Sequence, residues 1–233
     1  MNRRQAARVG LTAGAFLALS IVGCDPRQAM YFLQPFDPQV KPPCLSLQGK
    51  KVVVVARAAA TAQADYVPLD QEIAQRVVKA LRDKGKKVEV VELTKVRAWV
   101  EQHPTVTDPS EIAKAFDADV VLFLELIEFR IDSPESPGMF SGHSRVFVRA
   151  TEMKYPEIKG KPVTERPREP ETVHETEVES DFPRVQGSLP VDVTLTRTAF
   201  RKRFLDVIGN EVSWQFVPHA PGDAVQNIRF AND

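Results

Sequence analysis

Four histidines, two cysteines and one carboxylate set inside an apolar run are the residues of this sequence that could do chemistry. A zinc site needs His, Cys or carboxylate ligands at short, fixed spacing. His103, His143, His174 and His219 are scattered, and Cys44 has none of them nearby. Ser141 and Ser144 flank His143 without the glycine-bracketed serine of a hydrolase elbow, so no nucleophile is indicated. His174 lies beside Glu175 and Glu177, but alternate residues of a strand face opposite sides, so His174 points away from both carboxylates. Glu125 stands out more sharply, inside Val120-Val121-Leu122-Phe123-Leu124-Glu125-Leu126. Buried alone, such a carboxylate is pushed toward its neutral form and becomes a functional candidate. The commoner arrangement is a side chain that reaches the sheet edge or pairs with a lysine or arginine. A phosphate site would need glycines after the first strand, where backbone amides can approach the ligand, and residues 57–63 contain none. That segment still lies where ligands bind in parallel α/β sheets. The loop 57–69 together with Glu125 is therefore the alternative reading, a small-molecule binder or enzyme. The leading reading has no catalytic residue, no metal and no cofactor.

The amino terminus carries a different chemistry. Arg3, Arg4 and Arg8 precede an uncharged stretch, residues 9–23, whose apolar residues include Leu11, Phe16, Leu17, Leu19, Ile21 and Val22. This stretch is too short for a bilayer-spanning helix, which needs roughly 20 apolar residues, and fits the about 7–15 of a secretory leader. It ends at Ile21-Val22-Gly23-Cys24, which resembles the lipobox of bacterial lipoproteins. The resemblance implies removal of residues 1–23 and acylation of Cys24 as the new amino terminus, with the mature protein held on the cell envelope and its folded part in the periplasm. Each buried methylene contributes about 0.8 kcal/mol, so two or three acyl chains hold the protein almost permanently where one would not. Asp25, directly after the cysteine, resembles an inner-membrane retention signal. Lipidation of Cys24 leaves Cys44 as an odd thiol in an oxidising compartment, where it is shielded by burial, paired between chains, or inert.

Charge and composition bound the rest. The 31 basic and 31 acidic residues balance, and because Arg3, Arg4 and Arg8 fall in the leader, the remainder is slightly acidic. That gives no electrostatic footprint for nucleic acid, which needs clustered basic residues. Residues 24–49 hold Pro26, Pro35, Pro38, Pro42 and Pro43 with no helical or strand period and read as a tether. Met30, Tyr31, Phe32, Leu33 and Phe36 are apolar enough to dock back on the domain.

A single α/β domain is expected over residues 50–216. The β-branched run Val52-Val53-Val54-Val55 predicts a strand covered on both faces. Ile73, Ala74, Val77, Val78 and Leu81 predict a helix, with Asp70 placed to cap it and Gly85 to end it. A strand over 88–91 follows, then a short helix capped by Thr94 and stopped at His103-Pro104. Asp108, Pro109 and Glu111 open another helix, with Ile112, Ala113 and Phe116 inward. The strand over 120–127 must then run parallel to the first. After a Pro/Gly turn over 133–142 the pattern becomes antiparallel, with an alternating strand over 144–154. A second turn at 159–162 leads to an acidic strand over 171–179, with Glu171, Glu175, Glu177 and Glu179 on one side. Opposite charges from Arg145 and Arg149 would meet them across the ladder; the other reading is a solvated edge that resists aggregation. A long helix within 189–214 closes the domain, and 217–233 reads as a loose polar tail. The fold class is thus α/β, a two-layer or three-layer mixed sheet whose parallel βαβ first half precedes an antiparallel hairpin and a long carboxyl-terminal helix.

This order of elements resembles an exported α/β module found in the amino-terminal domain of the Tol system's periplasmic protein and in the curli-secretion and penicillin-binding-protein-activator lipoproteins. The residues that carry the likeness are the strand at Lys51, the helix from Asp70 to Lys84, the run Ile112-Ala113-Lys114-Ala115-Phe116-Asp117-Ala118-Asp119-Val120-Val121-Leu122, and the glycine turn Glu157-Ile158-Lys159-Gly160-Lys161-Pro162. It implies a non-catalytic module that binds another envelope protein in assembly or transport. Met139 and Phe140, apolar at the tip of the Pro/Gly turn, are the candidate contact, because an aromatic contributes most when a partner buries it.

Overall fold

The computed structural model describes residues 39–59, 62, 68–156, 167–184, 187–190 and 195–227. Cys24, most of the loop 57–69 and the glycine turn at 159–162 lie outside them. In chain order the elements are β1 (Lys51–Ala58), α1 (Leu69–Lys84), β2 (Glu89–Val90), α2 (Leu93–Gln102), α3 (Pro109–Phe116) and β3 (Val120–Asp132). They continue as β4 (Met139–Lys154), β5 (Glu169–Phe182), β6 (Leu189–Pro190), α4 (Arg197–Ser213) and α5 (Pro221–Asn227).

One sheet runs in the order β2-β1-β3-β4-β5, with β6 paired to β4. β1 is parallel to β2 and to β3, as the helix-bearing connections require. β3, β4 and β5 are antiparallel. The fold is therefore the expected α/β mixed sheet.

Two cores form on the two faces. On one, Val52 and Val54 of β1, Leu122 and Leu124 of β3, and Val146 and Val148 of β4 pack against α1 and α4. On the other, Val53, Val55 and Val121 meet Val96 of α2 and Ile112 of α3. The first core follows the sheet as far as Val178 and Phe182 of β5. The second reaches no strand beyond Met153 of β4. Among the described residues the molecule thus has three layers at its parallel end and two at its antiparallel end.

The inner face of α1 is the one its spacing predicts, Ile73, Ala74, Val77, Val78 and Leu81 with Leu69 added. Its start differs, because Pro68 stands at the cap and Asp70 lies inside the first turn, beside Glu72, where a negative charge suits the helix dipole. Gly85 ends the helix with φ of −74°, so its glycine is not there for left-handed backbone. A Cβ on it would lie 2.2 Å from the Leu81 carbonyl oxygen, which only glycine avoids. Glu92, not Thr94, precedes α2, and the Thr94 hydroxyl donates to the Glu92 carboxylate at 2.8 Å. Asp108 caps α3 as expected, accepting from the Ser110 amide at 2.9 Å.

The tether boundary moves. Val40 pairs with His219 through both backbone bonds, at 2.9 and 3.3 Å, and the Cys44 amide donates to the Gln215 carbonyl at 3.0 Å. Cys44 and Leu47 enter the main core. Residues 39–49 are therefore a strap on the domain rather than a free tether, and Cys44 is a shielded thiol, 4% exposed. The tail is corrected in the same way: Val217 is buried, α5 follows, and Asp223 on it pairs with Lys84 at 3.3 Å.

Candidate functional site

The two-layer end exposes one face of β3, β4 and β5, and its side chains follow from register. Arg145 lies opposite Glu128 on β3 and Glu179 on β5, Phe147 opposite Glu125 and Glu177, and Arg149 opposite Phe123 and Glu175. Alternation then puts Val146, Val148 and Ala150 into the helix-side core. On the open side the sign of charge changes from strand to strand. β3 offers Glu125 and Glu128, β4 offers His143, Arg145 and Arg149, and β5 offers Glu175, Glu177, Glu179 and Asp181.

These groups hold one another. Arg149 Nε meets Glu175 at 2.7 Å, and its guanidinium lies over the Phe147 ring, 5.0 Å from the centroid. Arg145 bridges Glu128 at 3.4 Å and Glu177 at 3.3 Å. His143 joins Asp181 at 2.8 Å and approaches Glu128 at 3.7 Å. The cross-strand pairing expected from Arg145 and Arg149 is thus present. One part of the expectation fails. The register slips between Ala150 and Thr151, so Val173 has no partner on β4, and Glu171 is carried to the opposite face from Glu175. There Glu171 meets Lys154 at 2.9 Å.

Beside the open face, Glu125 and Arg57 are register partners and line a cleft of about 240 Å³ with Ile112, Phe123 and Arg149. Neither arginine is committed to Glu125: Arg57 donates to the Val106 carbonyl at 2.7 Å, and Arg149 is held by Glu175. Glu125 is half-buried there rather than sealed in the core.

Phe140 is not a surface contact point, and Met139 is half-buried. β4 begins at Met139, and Phe140 is 2% exposed, stacked 5.0 Å from Phe200 of α4. The turn is completed before them, at Gly138 with φ of +80°. Phe140, Phe182, Phe200, Phe204 and Phe129 make one aromatic cluster under the antiparallel end. Gly142 admits it, since a Cβ there would lie 2.8 Å from the Phe204 ring.

A further feature, a buried carboxylate on α4, is not among the residues singled out from the sequence. Glu211 of α4 is 8% exposed and accepts from the Ser180 hydroxyl at 2.6 Å and from Arg184 at 3.1 and 3.2 Å. Burial raises its carboxyl above the usual glutamate range, more than the Ser180 bond and the Arg184 charge lower it, and Asp181 adds to the rise. The signal was available, since Glu211 shares the inward helical face of Val207, Ile208 and Val212. Beside it a cleft of about 310 Å³ opens between β5 and the strap, lined by Val178, Glu211, Trp214, Val40 and Pro43. Another, of about 220 Å³, lies between α1 and α2 past the short β2, where Arg97 reaches Gln71 at 2.9 Å and Glu101 at 2.7 Å. Among the described residues no group of His, Cys, Asp or Glu is arranged to hold a metal ion, and no helix is long and apolar enough to cross a membrane.

No protein-family model and no curated protein matches this chain. Solved structures show a likeness. PelC from Paraburkholderia phytofirmans, solved as a dodecamer, is 14% identical with a TM-score of 0.42, covering 77% of this chain and 96% of that one. Lipoprotein GNA1162 from Neisseria meningitidis is 10% identical with a TM-score of 0.42, covering 70% and 97%. The hypothetical protein CT253 from Chlamydia trachomatis is 15% identical with a TM-score of 0.37, covering 57% and 72%. Likenesses of this grade carry no argument about function.

Proposed function

We propose that this chain is a non-catalytic lipoprotein of the bacterial envelope, anchored through acyl chains on Cys24, whose periplasmic domain binds another envelope protein in assembly or transport. The anchor is supported by sequence: three arginines, an uncharged run of leader length, and Ile21-Val22-Gly23-Cys24. The following Asp25 favours the inner membrane.

The partner-binding role is supported chiefly by one observation, the face of β3, β4 and β5 at the two-layer end, which no helix covers among the described residues. Parallel sheets are covered on both faces, whereas an antiparallel sheet can leave one face to water or to a partner. Here the uncovered face is an ordered array of paired charges, which favours recognition by complementarity over catalysis. Arg145, Arg149 and His143 are engaged with Glu128, Glu177, Glu175 and Asp181, where a catalytic group would be held free for a substrate.

Mass spectrometry of the membrane-extracted protein tests the anchor. The expected spectrum begins at an acylated Cys24, and Cys24→Ser abolishes the acyl mass and releases the domain from the membrane. An intact Met1, or an unmodified Cys24 in the membrane fraction, contradicts it. A small-molecule reading is favoured by the cleft between α1 and α2, which sits past the carboxyl end of β2 and beside β1, the place where parallel sheets bind ligands. A ligand that raises the unfolding temperature and loses that effect in Arg97→Ala would support it.

A further inference from the structure

β5 is the last strand of the sheet, and among the described residues β4 is its only strand partner. A strand of 14 residues therefore presents alternate backbone N–H and C=O groups outward along its free edge. Native edges of this length are usually covered, interrupted or charged. This one is charged on one side only: Glu175, Glu177, Glu179 and Asp181 are exposed, while Val178, Ser180 and Phe182 between them are buried.

The sign alternation across the open face defines what fits next. From β3 to β4 to β5 the charges run acid, base, acid, so the strand that continues the series is basic. Arg145 and Arg149 already pair inward with Glu177 and Glu175, and no cation among the described residues pairs with Glu179. A second copy of β5 does not fit, because its own glutamates would lie opposite these. On the helix side of the same edge, a cleft in which Val178, Trp214, Val40 and Pro43 stand beside the charged Lys41, Arg184 and Glu211 gives room for the alternate side chains of an added strand, apolar ones where they meet Val178, Trp214, Val40 and Pro43. Backbone pairing along an edge, with alternate side chains read on each side, is an established way of binding an extended peptide.

We infer that the free edge of β5, between Glu175 and Phe182, takes an extended segment of a partner protein, with lysine or arginine at alternate positions facing the glutamates and apolar residues facing the cleft. This rests on the partner-binding reading above and adds the site, the mode and the chemistry of the partner segment. About seven residues suffice, since the acidic row from Glu175 to Asp181 spans roughly 20 Å of strand.

The test uses the full-length acylated protein in nanodiscs and three eight-residue peptides. One alternates lysine and valine, one glutamate and valine, and the third is the lysine peptide with alternate backbone nitrogens methylated. The lysine peptide is expected to bind, to slow amide hydrogen exchange within residues 175–182, and to weaken at least tenfold at high salt. The methylated peptide, equal in charge but short of edge hydrogen bonds, is expected to bind at least tenfold more weakly. Equal binding by the methylated or the glutamate peptide, protection only elsewhere, or no binding at low salt overturns the inference. Affinity capture from solubilised membranes separates this from the broader reading, with Glu175→Gln, Glu177→Gln and Glu179→Gln combined in one variant. Loss of a captured partner in that variant supports the edge. Equal capture by wild type and variant overturns the edge and leaves the partner-binding role standing. No capture by either counts against the partner-binding role, and the peptides still judge the edge.

Discussion

The two ends of the sheet solve the same problem differently. At the parallel end, β1 is sandwiched: Val52 and Val54 face α1 while Val53 and Val55 face α2 and α3, and all four are essentially inaccessible. At the antiparallel end, beyond Met153, α4 and its phenylalanines pack β4 and β5 on one side, and among the described residues the other side is a lattice of ion pairs. Burial of apolar surface contributes about 25 cal/mol per Å², whereas an exposed ion pair contributes about 0–1 kcal/mol. On this difference the parallel end and the helix-side core hold the fold, which leaves the charged face available for the recognition role proposed above.

The sharpest way to break that assignment is to remove a phenylalanine beneath the open face. Phe204 is fully buried and packs against Phe129 and Phe182. Phe204→Ala should cost about 3–5 kcal/mol in denaturant unfolding. A loss below about 1 kcal/mol would mean that the antiparallel end is not held by its helix side.

Glu211 gives an intermediate and pH-dependent effect. Burial raises its folded-state pKa above its unfolded value, so the folded chain holds this proton more tightly. Its contribution to stability is then full below the ordinary glutamate range, near about 4.3, and is lost as pH climbs through the raised value. Glu211→Gln, which cannot ionise, should gain stability relative to wild type as pH rises from about 4 toward neutrality. A pH-independent difference would show that Arg184 and Ser180 offset burial, and one of opposite slope that they outweigh it.

The smallest expected effect is on the face itself. Arg149→Ala removes the pair with Glu175 and the contact with Phe147, yet should change stability by only about 0–1 kcal/mol, since both side chains of the pair reach solvent. A loss as large as that of Phe204→Ala would make the ionic lattice a structural layer and dissolve the contrast between the two ends.

What the sequence revealed follows the same division. The four valines of β1, the period of α1 and the Asp108 cap are signals carried by adjacent residues, and each element formed where they placed it. The opposite charges of β4 and β5 were legible as a cross-strand ladder, because alternation sets which residues share a face. The slip at Val173 was not, since it depends on the pairing of two distant strands, and one such residue sends Glu171 to the other side. Phe140 was misread because Pro134, Pro137 and Gly138 suggested a longer turn, while its burial is decided by Phe200, sixty residues on. The strap had no period to read, being fixed by backbone bonds from Val40 and Cys44 to the far end of the chain.

The central claim is that the charged face of β4 and β5 is where a partner sits, and site-specific photocrosslinking in intact cells tests it most directly. A crosslinker at position 177, on the open face, is expected to trap one defined envelope protein, and the same group at Lys79, on α1, is expected to trap none. Capture from position 79 alone, or from neither position, would contradict the account.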